Sequence, residues 1–123
     1  MIETGSTPKQ GETTILWLIK IVTGPILLIV ATIHLIVNHY IGSLGGLQTY
    51  SDVVKYYKAW YIPVMEGIFL VTVLAHSLIG LRGVILDLRP TAAMLKFINW
   101  AFAALGVGFS AYGLWLIIVI AGR

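Results

Sequence analysis

Three imidazoles stand out in a chain that otherwise offers little chemistry. His34, His39 and His76 are the only histidines among 123 residues, and there is no cysteine. Thiolate-held iron–sulfur clusters, disulfides and covalently attached c-type haem are therefore excluded for this chain. His34 lies in Thr32-Ile33-His34-Leu35-Ile36-Val37-Asn38-His39-Tyr40, and His76 in His76-Ser77-Leu78-Ile79-Gly80-Leu81-Arg82-Gly83. Both sit within long apolar stretches, where an ionisable group is rare and usually functional. Neutral imidazole is also the usual axial ligand of a non-covalent haem b. Two readings stand for each: an axial ligand, or a histidine hydrogen-bonded to a neighbouring helix. A ligand imidazole donates its second N–H to a carbonyl or hydroxyl, and Thr32 and Ser77 are the nearest hydroxyls in sequence.

The surroundings of His76 favour the first reading. Gly80 lies one turn away on the same helix face, where the edge of a porphyrin needs a missing side chain. Arg82 and Arg89 follow toward the helix end, within reach of propionates, and Arg pairs bidentately with carboxylates. Arg82 reads equally well as an interfacial anchor that snorkels to the surface. His39, at the membrane surface, reads as an interfacial hydrogen-bonder or as a partner for a propionate or a quinone.

The elements that carry these residues follow from composition. Apolar residues make up 59% of the chain and charged residues 11%, with a mean hydropathy of +0.93. Soluble domains carry about 25% charge, so a water-soluble fold is excluded. A net charge of +3 is too small and scattered for nucleic-acid binding. Three apolar stretches, 15–37, 61–86 and 97–121, each reach the roughly 20 residues that span a bilayer. They predict an all-α membrane protein with transmembrane helices over about 15–40, 61–87 and 97–121, following a polar tail at 1–14. The tail does not read as a signal peptide. Pro25 falls inside the first span, where a kink is tolerated. The first connection opens with the turn Gly42-Ser43-Leu44-Gly45-Gly46. It continues as a short interfacial helix over 47–59, with Tyr56, Tyr57, Trp60 and Tyr61 in an aromatic belt. The second connection runs over 87–96, with Pro90 as a stop. Lys9, Lys20, Arg82, Arg89 and Lys96 on one side outnumber Lys55, Lys58 and Arg123 on the other, which places the N-terminus in the cytoplasm. The third span has no ionisable residue and is rich in Gly and Ala, which suits close helix packing.

Depth separates the two buried histidines. His34 is about 28 Å from the inner start at residue 15, and His76 about 15 Å from the inner end at residue 86, at 1.5 Å per residue. Roughly 13 Å apart along the membrane normal, they are poorly placed to share one iron. They suit two stacked haems, each completed by a histidine from another chain.

Two segments resemble a known family. The pattern His76-x3-Gly80-x-Arg82-x4-Asp87 resembles the haem-ligating helix of succinate dehydrogenase and fumarate reductase cytochrome b anchors. Gly24-Pro25, followed by His34-Leu35-Ile36-Val37-Asn38-His39-Tyr40, looks like the first helix of the di-haem type, and the separation of the two histidines agrees. The likeness covers about residues 20–90. The single-chain di-haem form has five helices and four ligands, so this chain looks like one half of a split, two-subunit anchor. The resemblance implies a subunit that does not itself act on succinate. It implies one or two haems b shared with a second membrane anchor in a helical bundle, and quinone as substrate. It further implies iron–sulfur and flavoprotein partners and a multi-pass place in the cytoplasmic (inner) membrane. His76 and His34 become axial ligands, with Gly80, Arg82 and His39 beside the cofactor.

The chain also departs from that pattern. Mono-haem anchors use a Ser and an Arg near the start of a first helix for quinone; this chain has only Lys20 and Thr23 near that place, and a Tyr expected after the acidic residue is Leu88. Lys20, Asp87 and Arg82 remain quinone candidates on the inner side. Glu66, one position from an acidic residue of the di-haem type, reads as an interfacial carboxylate or as a proton relay to a distal quinone site. The rival classes are a haem-free structural or assembly anchor, and a transporter or channel subunit. The second would want a membrane-embedded carboxylate or an internal repeat, and Glu66 and Asp87 both fall near helix ends. A one-haem variant would use His76 alone.

Overall fold

Threonine starts three of the helices. Thr13 accepts a hydrogen bond from the Leu16 amide at 3.4 Å and opens α1, Thr14–Leu35. α1 runs through Pro25 and continues into a π-helical turn, Ile36–Ile41. Thr49 opens α2, Tyr50–Tyr57, with a capping box: its amide donates to Asp52 Oδ2 at 2.9 Å while its hydroxyl accepts from the Asp52 amide at 3.4 Å. The Thr49 hydroxyl, followed by its amide, holds the Asp52 carboxyl below the ordinary value. α3 spans Tyr61–Asp87. Thr91 accepts from the Met94 amide at 3.2 Å and opens α4, Ala92–Ala121. The computed structural model describes residues 11–41 and 47–123. Lys9, most of the expected polar tail and the glycine-rich turn at 42–46 lie outside the described residues.

Two boundaries differ from the sequence reading. α4 begins at Ala92 rather than 97, because the Pro90-Thr91 pair supplies a ready N-terminus and a lysine near a span end does not break it. Lys96 is thus helical. α2 occupies only part of 47–59, its start fixed by the Thr49–Asp52 box.

Arg89 ends α3 with φ +53, the left-handed conformation that glycine usually supplies after a helix. For an L-residue it costs about 1 kcal/mol. Arg89→Gly is therefore expected to raise the unfolding temperature of the detergent-solubilised protein, and an unchanged or lower value would contradict this.

Three helices, Thr14–Tyr40, Tyr61–Asp87 and Ala92–Ala121, are long and apolar enough to cross a membrane. The chain is an all-α, multi-pass membrane protein. α3 is central: it packs against both α1 and α4, whose backbones do not approach each other closely among the described residues. α2 lies over the same end of α3 and α4. In lipid, close approach holds helices together more than apolar burial does. Gly113 of α4 shows this, since a Cβ there would overlap the Leu70 side chain of α3. Ile62 is the one buried apolar side chain among the described residues. Leu28, Ile29, Phe97, Val107 and Ile118 are exposed, as suits a surface facing lipid or other subunits.

Candidate functional site

Two polar clusters interrupt the seam between α1 and α3. At the α2 end, His34 Nδ1 lies 2.9 and 3.0 Å from the Glu66 carboxyl oxygens. Tyr56, reaching in from α2, donates its hydroxyl to Glu66 Oε1 at 2.9 Å. Burial, followed by the bond to Glu66, raises the Tyr56 phenol well above its ordinary value, so it remains a donor. Asn38, one turn beyond His34, donates to the His34 carbonyl at 2.9 Å and to the Tyr56 hydroxyl at 3.4 Å. The His34 ring packs against Phe69 with centroids 4.7 Å apart and planes tilted by 32°. Glu66 is buried, with 8% of its surface exposed. His34 and Tyr56 of α2 thus satisfy this carboxyl within the chain.

At the second cluster, His76 Nδ1 meets the Thr23 hydroxyl at 3.1 Å. That hydroxyl already donates to the Ile19 carbonyl at 2.6 Å, so its oxygen is left to accept from the ring. Gly24 lies against the ring: a Cβ there would be in ordinary contact with His76 Cε1, at 3.5 Å. Around Gly80, one turn along α3, a Cβ would meet nothing within 4 Å.

Both imidazoles thus follow one rule. Nδ1 faces an oxygen on the neighbouring span, while Nε2 makes no hydrogen bond among the described residues. At His34 the Asn38 amide nitrogen also lies 3.2 Å from Nδ1. A ligand imidazole donates from the nitrogen that does not bind the metal, and this arrangement together with the open space at Gly80 suits that use. The residues present fit a haem. The expected local partners do not serve, since Thr32 donates to the Leu28 carbonyl and Ser77 to those of Val73 and Leu74. Hydroxyls within helices bond back to the preceding turn, which leaves the histidines to partners across the seam.

The pairings also fix depth. Thr23 and His34 lie eleven residues apart on α1, and Glu66 and His76 ten apart on the antiparallel α3, so the tiers are about 15 Å apart. His34 and His76 are not brought together.

The remaining candidates are placed elsewhere. Arg82 is 8% exposed and points to α4 and the chain start: its Nε donates to Asn99 Oδ1 at 2.7 Å and its Nη2 to the Gly11 carbonyl at 3.3 Å. It is buried rather than snorkelling. Lys20 pairs with Glu12 at 2.7 Å, and the Glu12 side chain is 1% exposed. Asp87 is exposed at the last position of α3, and His39 is exposed on the π-helical turn. An apolar groove of about 710 Å³ between α3, α4 and the start of α1 has Arg82, Asn99 and Leu16 in its wall but neither His34 nor His76. Sequence reasoning missed Thr23, Asn38, Tyr56, Phe69 and Asn99 as partners. The usable signal was helical spacing, which puts Asn38 one turn from His34.

The fold and the clusters define a class: a three-span helical membrane protein with two imidazole tiers on one seam. A model of the succinate dehydrogenase/fumarate reductase transmembrane subunit family matches residues 5–115. The chain belongs to that family and is a membrane subunit of such complexes. No curated protein and no solved structure gives a significant match.

Proposed function

We propose that this chain is a haem-b-holding membrane anchor of a succinate:quinone oxidoreductase, passing electrons from an iron–sulfur subunit to quinone. The observation that carries the reading is the shared contact pattern. Two imidazoles in apolar spans each have Nδ1 within hydrogen-bond distance of an oxygen on the adjacent helix, which would leave Nε2 for iron. His76 would hold the haem nearer the N-terminal end, with Gly80 giving room for its edge. His34 would hold the other. The tier spacing of about 15 Å supports two haems, each shared with a second membrane anchor that supplies the opposing ligand. Haem b supplies one-electron transfer when bound; this chain's residues orient and tune it. The flavoprotein and iron–sulfur subunits would dock at the end where electrons enter.

Lys20 and Arg82 lie at the same end as the chain start, and the basic excess there supports a cytoplasmic N-terminus in the inner membrane. Asp87, Lys20 and Arg82 remain the quinone candidates on that side, and Glu66 the one at the other end. Whether His39 faces a propionate or a quinone depends on the partner anchor.

A haem-free anchor is the rival, favoured by one observation: both histidines already bridge α1 and α3. The two readings separate on addition of succinate to the purified complex. The haem reading expects a b-type absorption band that succinate reduces and added quinone reoxidises. A complex that turns over succinate without any such band would overturn it.

A further inference from the structure

We propose that Glu66 is a positioning residue for His34, holding its imidazole in one tautomer and lending it imidazolate character that the His76 ring lacks. The inference rests on the haem reading above. Both Glu66 oxygens lie within hydrogen-bond distance of His34 Nδ1, at 2.9 and 3.0 Å. The Tyr56 phenol donates to the same Oε1 at 2.9 Å, and the Asn38 amide, 3.2 Å from Nδ1, has the His34 carbonyl and the Tyr56 hydroxyl as its acceptors; the ring would be the second donor to the carboxyl. Burying a carboxylate is costly unless such donors satisfy it.

The arrangement is also rigid. Glu66 is 8% exposed, Phe69 packs on the ring, and Asn38 ties the His34 carbonyl to the Tyr56 hydroxyl. Carboxylate–imidazole–metal arrangements raise ligand basicity and orient the ring. At His76 the acceptor is the neutral Thr23 hydroxyl, a weaker hydrogen-bond partner than a charged one. The two tiers therefore differ in the electron density that each imidazole offers to iron. Tyr56 grades the effect: each hydrogen bond it gives the carboxylate is one the carboxylate answers less strongly toward His34.

The test is a redox titration of the purified complex with electron paramagnetic resonance of the oxidised haems. The component belonging to His34 is the one lost in His34→Ala. Glu66→Gln, which keeps size and removes charge, is expected to raise that component's midpoint potential and alter its low-spin g values, leaving the other component unmoved. Tyr56→Phe, which keeps the carboxylate and removes a competing donor, is expected to move the same component the opposite way. It also serves as the test if Glu66→Gln does not assemble. Normal haem content with both potentials and g values unchanged in these variants would overturn the proposal. A wild-type complex without b-type haem would instead overturn the haem reading.

Discussion

A complex carrying His76→Ala is expected to lose the haem of the N-terminal tier and keep the one belonging to His34. Nothing else described on α1 or α3 at that depth can replace the imidazole: Thr23 is the neighbouring polar side chain, and its hydroxyl is committed to the Ile19 carbonyl. A b-type haem would have no covalent link to the protein, and His76 would be this chain's hold on it at that tier, so the variant is expected to release it. The reduced-minus-oxidised spectrum should fall by about half the b-band, as two ligand tiers imply. Thr23→Val is the companion variant. It removes only the acceptor at Nδ1, where such partners change metal affinity by about 10–100-fold, so the band should weaken or its potential shift without disappearing. An unchanged band in His76→Ala would mean that the imidazole only bridges helices.

The second large effect is structural. Arg82 is a buried guanidinium bonded to Asn99 of α4 and to the Gly11 carbonyl ahead of α1, so one side chain of α3 ties both neighbours to the same end. Replacing it with Met leaves the Asn99 carbonyl oxygen and the Gly11 carbonyl without their described donor. Hydrogen bonds from charged groups contribute about 1.5–3 kcal/mol each, and the variant is expected to lose about 2–4 kcal/mol locally. Glu12 should report the loss, since its side chain is 1% exposed in the intact structure. When opening is fast relative to cleavage, proteolysis follows the open population. A Glu-specific protease should then cut after Glu12 at least roughly 30-fold faster in Arg82→Met. Equal cleavage rates would show that Arg82 does not hold the chain start.

How much was legible depended on whether the signal was local. The three spans follow from apolar runs longer than any soluble helix needs, and α3 begins and ends where the hydropathy pattern places it. The start of α4 was missed because Lys96 reads as a loop residue, whereas the Thr91 cap decides it. His34 and His76 stood out because an imidazole amid hydrocarbon is anomalous in sequence. Their partners did not. Thr23 meets His76 only because α1 and α3 are antiparallel neighbours. The partners of Glu66 were hidden for the same reason, since Tyr56 reaches it from another element. Arg82 is invisible in a different way: sequence gives its charge and depth, but the rotation of α3 toward α4 decides that Asn99 receives it.

The most direct measurement is the haem content of the purified wild-type complex by pyridine haemochrome. The account predicts two protohaems for each copy of this chain. A complex that retains every subunit and full succinate-oxidising activity yet yields no protohaem would contradict it.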